Sequence, residues 1–261
     1  MSKAHDALAA RRRRVVFWAV LGHRLIVVSD AHLGAAPPAV EEALLAFLDA
    51  VPSLGDCLLL NGDIFDFWFA YSRVVPRRGF RVTAAIAALA RRMPIAMVGG
   101  NHDRWGSDFW GSELGIRFAR REVRFRVGER QVLAMHGDGL AEHSWRQRLL
   151  QGAVGHPVTS AVYRALHPEL GVRLVERMTA LLAARAAVAT RSVPSAAQQL
   201  AWATKRLARE PELGLLVMGH SHAAAVIEVR PGGQYLNPGA WLDGFRYAVA
   251  SEDAAELCRF S

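Results

Sequence analysis

Five stretches of this chain each run from an apolar, strand-like segment into a cluster of Asp, Asn or His, and this repetition constrains the fold more than any other feature. The clusters are Asp30-Ala-His32, Asp63-Ile-Phe-Asp66, Asn101-His102-Asp103, His136-Gly-Asp138 and His220-Ser-His222. Continuous apolar segments are typical of strands buried on both faces, as in sheets covered by helices. Because ligands bind beyond the carboxyl ends of such strands, we expect the five clusters to meet at one edge.

The residue types in these clusters favour a two-metal hydrolytic centre. Five of the ten histidines lie in the clusters, beside carboxylates and one amide, and no cysteine does. Oxygen and imidazole donors without thiolate suit a borderline-hard divalent ion, Mn²⁺ first and Fe or Zn as alternatives. Asp63 follows Gly62, whose missing side chain allows close approach, so this carboxylate is placed to bridge two cations. His102 follows a ligand-type Asn and is available for proton transfer or charge stabilisation.

The remaining pattern predicts strands and helices in alternation. We expect strands over Leu25–Ser29, Cys57–Leu60, Ile95–Val98, Arg117–Ala119, Val123–Val127, Gln131–Met135, Ala224–Val229, Gln234–Leu236 and Phe245–Val249. Helices are expected over Ala39–Val51, ended by Pro52, over Phe80–Arg92, and from near Trp105. Residues 141–210 lack a strand pattern and are rich in Ala, Leu and Arg, which predicts a helical insertion that stands over the metal site as a lid.

The net charge of +8 is concentrated in two segments. Residues 1–24 hold six basic residues and one acidic residue, and residues 141–210 hold ten basic and four acidic residues. The rest of the chain therefore carries −3, as expected of a core rich in Asp. We predict a solvated basic arm over 1–24, outside a domain that spans 25–261, with attachment to an anionic membrane surface as the alternative.

Two further features bear on location. No apolar stretch approaches the about 20 residues that cross a bilayer. The two cysteines form no CxxC pattern, which favours reduced thiols and a cytoplasmic protein. Contact with a membrane would then be peripheral, at the inner membrane.

Taken together, the clusters resemble the calcineurin-like metallophosphoesterase family, whose pattern D-x-H, G-D-x-x-D, G-N-H-D, H and G-H-x-H is complete across residues 30–222. The resemblance implies a two-sheet α/β-β/α sandwich and two bound cations. It implies Asp30, His32, Asp63 and His222 as ligands of one cation, and Asp63, Asn101, His136 and His220 as ligands of the other. It implies a catalytic role for His102. Asp103 is a candidate for catalysis or for orienting histidines, and Asp66 and Asp138 are candidates for orienting histidines.

Within that family, three features are similar to the pyrophosphatases that cleave UDP-2,3-diacylglucosamine to lipid X and UMP in lipid A synthesis. These are the segment Gly62–Trp68, the segment Met135–Asp138 followed by a long helical insertion, and Gly239-Ala-Trp241. The resemblance implies that the lid receives acyl chains beside a diphosphate. The chain departs from the best-known branch, which has Arg where His102 stands.

Three other functions remain open on the sequence. A broad-specificity phosphodiesterase or phosphatase could use the same centre on nucleotides or phosphoproteins. A nuclease is suggested by the pI of about 10.4, but the insertion offers only Trp145, Tyr163 and Trp202 for base stacking. A binding scaffold with an inactive centre is disfavoured because no ligand position is missing.

Overall fold

The computed structural model describes residues 19–71, 73–106, 108–140, 157–175, 177 and 196–261. Most of the predicted basic arm, residues 1–18, lies outside the described residues. So do two parts of the predicted lid, residues 141–156 and 178–195.

The first sheet has the strand order β12-β11-β2-β3-β4-β5. Its strands are β2 (Leu25–Val28), β3 (Cys57–Asn61), β4 (Ile95–Val98), β5 (Arg117–Ala119), β11 (Arg246–Ala250) and β12 (Ala255–Arg259). Strands β2 to β5 run parallel, so their carboxyl ends lie at one edge. Strand β11 pairs antiparallel with β2, and β12 pairs antiparallel with β11.

The second sheet has the strand order β1-β6-β7-β8-β10-β9. Its strands are β1 (Val20–Gly22), β6 (Glu122–Val127), β7 (Arg130–Met135), β8 (Leu213–Val217), β9 (Ala225–Arg230) and β10 (Gly233–Asn237). Strands β7, β8 and β10 are parallel. The loops after β7 and β8 therefore leave from one edge of this sheet.

The described residues form six helices. They are α1 (Pro38–Leu54), α2 (Phe80–Ala90), α3 (Phe109–Ser112), α4 (Pro157–Ala165), α5 (168–175) and α6 (Ala196–Arg209). Alternation along β2 shows the layering: Leu25 and Val27 face the second sheet, while Ile26 and Val28 pack against α1 and α2. The predicted two-sheet α/β-β/α sandwich is confirmed.

Helix α6 corrects the predicted extent of the insertion. Its buried residues Gln199, Ala203 and Leu207 are spaced by four and lie against the second sheet, where Ala203 and Leu207 share a core with Leu133 and Leu216. This helix is therefore part of the outer layer of the sandwich and not part of a separate lid. The described helices that remain outside the two-layer core are α4 and α5.

Several predicted boundaries also move. Helix α1 continues through Pro52 to Leu54. Pro52 is tolerated because only the last turn of the helix follows it, and the backbone amide of Gly55 donates to the carbonyl of Val51. The helix expected from near Trp105 begins at Phe109. Strands β1 and β12 were not predicted, since both are short edge strands with little apolar alternation. Strand β1 pairs with β6, so the sheet begins inside the predicted arm.

Candidate metal centre

All seven predicted ligand residues lie in loops at the carboxyl ends of strands. Asp30 and His32 follow β2, Asp63 follows β3, Asn101 follows β4, His136 follows β7, and His220 and His222 follow β8. Six of them form two groups in which one donor atom per residue lies within 4.8 Å of the others. The groups are Asp30, His32 and His222, and Asp63, His136 and His220.

The carboxylate of Asp63 lies between the two groups. Its Oδ2 atom is 3.0 Å from Nε2 of His136 in its own group and 3.9 Å from Nε2 of His32 in the other. Asp30 makes a similar connection, because its Oδ1 atom is 3.4 Å from Nε2 of His222 and 3.8 Å from Nε2 of His136. The two carboxylates are buried and lie among four imidazoles, which come from loops of both sheets. The four are those of His32, His136, His220 and His222.

The backbone at these residues is unusually strained. Six non-glycine residues among those described have positive φ, and five of them are Asp30, His32, Asp63, His220 and His222. Such conformations cost on the order of 1 kcal/mol or more each, and they persist only where the surroundings impose them. Strain concentrated on the predicted ligands supports this edge as the candidate functional site.

Neighbouring backbone groups orient the deepest histidine. Nδ1 of His136 lies 2.9 Å from the carbonyl of Asn61 and donates to it, which directs Nε2 toward the carboxylates of Asp63 and Asp30. The imidazole lies over Gly62, where an added Cβ would come within 2.5 Å of Nδ1 and where φ is +85°. The glycine before Asp63 is therefore required both for the turn and for the approach of His136.

Two buried polar atoms fit a cation. Nε2 of His136 and Oδ1 of Asn101 have no hydrogen-bond partner, although the first is close to Asp63. Buried polar atoms without partners are uncommon and call for a ligand. The donor set is imidazole, carboxylate and amide oxygen, which suits a divalent metal ion.

The histidines of the cluster differ in their electrostatic environments. Burial alone would lower the pKa of His136, but Asp63 and Asp30 raise it well above its usual value. Burial and the nearby His136 lower the pKa of His220 to about 4, so this ring is neutral and able to act as a ligand at pH 7. The pKa of Asp63 is lowered, because the neighbouring His136 outweighs the effect of its burial.

His102 lies beside the cluster and is held by Asp66. Nδ1 of His102 donates to the carbonyl of Asp66 at 2.7 Å and lies 3.4 Å from its Oδ1 atom. Burial opposes protonation, but Asp66 and Asp63 raise the pKa of His102 to about 9. The ring also stands edge-on to His32, and His32, Asp66 and His102 form a third group with ligand spacing. The geometry thus allows either a proton-donating or a ligating His102.

Asp103 and Asp138 have other partners than the histidines predicted for them. The carboxylate of Asp103 is fully buried and accepts hydrogen bonds from the amides of Asp63, Ile64, Phe65 and Gly100. It therefore fixes the backbone of the Asp63 loop, and a direct part in catalysis stays a prediction. The carboxylate of Asp138 pairs with Arg104, which also donates to the carbonyl of Gly100.

Sequence reasoning missed four polar residues that support the cluster. Gln199 and Asn237 both donate to the carbonyl of Gly219, and Asn237 also reaches the hydroxyl of Ser221. Asp243 lies 3.5 Å from Nδ1 of His222. Ser29 donates to Asp30 and to the carbonyl of Asn61. None of these four residues belongs to one of the five Asp, Asn and His clusters. The one available sequence signal was Gln199, a polar residue on the apolar face of a helix.

An apolar cleft of about 710 Å³ opens beside Asp66. One wall is formed by the loop from Phe67 to Pro76, and the other by α5 through Pro168, Val172 and Val175. Tyr163 of α4 joins the two walls, since its ring lies 4.5 Å from that of Phe69. Arg77, Arg78 and Arg173 add positive charge to the lining. The cleft therefore offers apolar and cationic surface directly next to His102.

Comparison with known proteins gives a consistent result. The chain matches the family model described as calcineurin-like phosphoesterase over residues 23–224. It is 28% identical over 250 residues to a UDP-2,3-diacylglucosamine hydrolase of Porphyromonas gingivalis, an alignment that covers 87% of this chain and 93% of that protein. The protein of the same name from Bordetella parapertussis is 31% identical over 204 residues, covering 77% and 78% of the two chains.

Proposed function

The chain belongs to the calcineurin-like phosphoesterase family and is a metal-dependent hydrolase, and from this premise we propose that it cleaves the pyrophosphate of UDP-2,3-diacylglucosamine to lipid X and UMP. The observation that carries the proposal is the position of the apolar cleft directly beside the cluster of predicted metal ligands. Asp66 belongs to both, because it lines the cleft and holds His102. A substrate with a diphosphate next to fatty chains matches that arrangement.

The proposal includes two divalent cations, Mn²⁺ being the best match for the donor set. Asp30, His32, Asp63 and His222 would hold one, and Asp63, Asn101, His136 and His220 the other. Such a pair supplies Lewis-acid polarisation of the phosphate and lowers the pKa of a bound water. The two groups with ligand spacing, and the position of the Asp63 carboxylate between them, support this assignment.

Separate residues of the chain would then act in catalysis, in positioning and in substrate binding. His102, held by Asp66, would stabilise the developing charge or donate a proton to the leaving oxygen. Asp103 would keep the Asp63 loop in place through its four backbone hydrogen bonds. Arg77, Arg78 and Arg173 would attract the diphosphate, and the apolar walls would receive the acyl chains. Helices α4 and α5 would serve as the lid of a domain that follows the basic arm.

No helix among the described residues is long and apolar enough to cross a membrane. We propose that the protein meets its lipid substrate from the cytoplasmic side, as a peripheral protein of the inner membrane.

The test is hydrolysis of UDP-2,3-diacylglucosamine by the manganese-loaded protein, beside a UDP-sugar without acyl chains, cyclic nucleotides and single-stranded DNA. Release of UMP should be much faster from the diacylated compound. The cleft variant Val172→Glu should slow that reaction while leaving the non-acylated UDP-sugar unaffected, and Leu257→Glu on β12 is the matched control far from the cleft. Equal or faster turnover of the non-acylated compounds would instead favour a broad-specificity phosphodiesterase, and preference for DNA a nuclease.

A further inference from the structure

Two consecutive arginines, Arg120 and Arg121, form the turn between β5 and β6. Both are exposed, and the chain passes at this turn from the first sheet to the second. Neither residue lines the apolar cleft or belongs to a group with ligand spacing. Because paired guanidinium groups recognise phosphate, the position of the turn relative to the metal cluster decides what it can bind.

Strand pairing places this turn beside two predicted ligands. Strand β5 follows β4 to the point where the carbonyl of Ala119 accepts a 2.9 Å hydrogen bond from the amide of Gly99, two residues before Asn101. On the other side of the turn, β6 begins opposite Met135, the residue before His136. The two arginines therefore lie next to two residues that are predicted to hold the same cation.

Arg104 adds to the positive charge at the turn. Burial lowers the pKa of Arg120, and the charges of Arg104 and Arg121 lower it further. The three guanidinium groups are thus close enough to repel one another. Like charges that the fold brings together are favoured by a bound group of opposite charge.

Two acidic side chains near the turn already have arginine partners. Asp138 pairs with Arg104, and Glu122 pairs with Arg124 and Arg206. Neither carboxylate is therefore available to the turn alone. The region holds more arginines than carboxylates, which favours an anionic ligand.

The position of the cleft indicates which part of a substrate reaches the turn. The cleft borders Asp66, which holds His102. His102 stands edge-on to His32, whose Nε2 atom lies 3.9 Å from the carboxylate of Asp63, and that carboxylate lies 3.0 Å from Nε2 of His136. The turn beside His136 is at the other end of this series of contacts from the cleft. A diphosphate at the cluster with its acylated half in the cleft would direct its other half toward the turn.

We propose that Arg120 and Arg121 bind the nucleoside monophosphate half of the substrate, on the side of the metal cluster away from the apolar cleft. The inference rests on the proposed function, because it takes the substrate to be a lipid linked to a nucleotide. The guanidinium groups donate to oxygens of the nucleotide phosphate, and Arg104 adds to the local positive charge. The released nucleotide occupies the same place before it leaves.

The first experiment measures nucleotide binding without hydrolysis. Isothermal titration calorimetry of the manganese-loaded full chain with UMP gives the Kd, and uridine is the comparison ligand that lacks the phosphate. Arg120→Gln/Arg121→Gln should weaken UMP binding about tenfold, and Arg121→Gln alone about threefold. The thermal midpoint and the metal content should stay unchanged, and uridine should show no binding that depends on the two arginines.

The chain offers a matched control for the double variant. Arg91 and Arg92 are also consecutive and exposed, and they precede β4 at the end of that strand away from the metal cluster. Arg91→Gln/Arg92→Gln removes the same charge and should bind UMP as the wild type does. In hydrolysis of the UDP-sugar without acyl chains, the Arg120/Arg121 double variant should raise KM about tenfold and lower kcat much less, because the lost contact binds substrate and transition state alike.

Three results would overturn this nucleotide site. They are unchanged UMP binding in the Arg120/Arg121 variant, an equal loss in the Arg91/Arg92 control, and tighter binding of inorganic phosphate than of UMP with the same dependence on the two arginines. The last result would assign the turn to free phosphate. UMP binding that depends on the arginines, without hydrolysis of the diacylated compound, would preserve the site and reject the proposed substrate. Hydrolysis of that compound with unchanged UMP binding would do the reverse.

Discussion

The side chain of Gln199 donates a 3.0 Å hydrogen bond to the backbone carbonyl of Gly219, the residue before His220. Gln199 is fully buried on α6, and its Oε1 atom accepts from the hydroxyl of Tyr235 at 3.3 Å. An outer helix of the sandwich thus supports the loop that carries two predicted ligands. This hydrogen bond connects the helical cover of the second sheet to the loop after β8.

We expect Gln199→Leu to destabilise the protein and loosen the His220 loop. The substitution removes a donor to Gly219 and leaves the hydroxyl of Tyr235 buried without its acceptor, a loss of about 1–3 kcal/mol. Urea unfolding should show the lower free energy of unfolding, and metal analysis should show weaker retention during dialysis. Lys205→Leu, at an exposed position of the same helix, is the control. Normal stability and metal retention in the Gln199 variant would remove the proposed support.

The variant His102→Ala distinguishes a catalytic role of His102 from a role as a metal ligand. If His102 acts on the transition state, His102→Ala should lower kcat by about 10²–10⁴-fold with metal content unchanged. Asp66→Asn should lower kcat less, because the carbonyl of Asp66 still accepts from Nδ1 of His102. Loss of metal in the His102 variant would make it a ligand, which its place beside His32 and Asp66 also allows.

The sequence predicted the fold and the meeting of the ligands because both follow from local patterns. Apolar strands buried on two faces required helical layers, and parallel strand ends required a shared edge. Asp30, on the first sheet, and His222, on the second, are far apart in the chain. Their approach to 3.4 Å was predictable only because each followed its own buried strand.

The supporting residues were not predictable in the same way. Gln199 lies on a helix that composition assigned to the lid, and only its packing against Leu133 and Leu216 places that helix on the sheet. Asp103 follows His102 directly, which suggested a role near the histidines. The tight turn instead points its carboxylate at the amides of the Asp63 loop. Contacts between residues on different elements leave no periodic trace in a sequence.

The ion pair between Arg104 and Asp138 joins the loops after β4 and β7, one from each sheet. The side chain of Arg104 is 16% exposed and that of Asp138 is 15% exposed. We expect Arg104→Met and Asp138→Asn each to lower the free energy of unfolding, because each leaves a largely buried charge without its partner. The double variant should lose less than the two losses combined, by a coupling energy of about 0.5–3 kcal/mol. Additive losses in urea unfolding would show that the two residues act independently.

Gly62 tests the close packing of His136. We expect Gly62→Ala to displace His136 or the Asp63 loop, because an added Cβ would lie 2.5 Å from Nδ1 and the residue has a φ of +85°. Phosphodiester hydrolysis and metal content should both fall. Gly115→Ala also has positive φ but nothing within 4 Å of its Cβ, so it controls for backbone strain alone. Equal effects of the two substitutions would show that contact with His136 is unimportant.

A two-cation centre at Asp63 would make both metal binding and phosphoester hydrolysis depend on this carboxylate. The most direct measurement is metal content by mass spectrometry on protein purified without chelator, with hydrolysis assayed on the same samples. The wild type should contain about two equivalents of divalent metal. Asp63→Asn should lose at least one equivalent together with hydrolysis, while Asp49→Asn, an exposed position on α1, should lose neither. A wild-type protein that is free of metal and fully active would contradict the account.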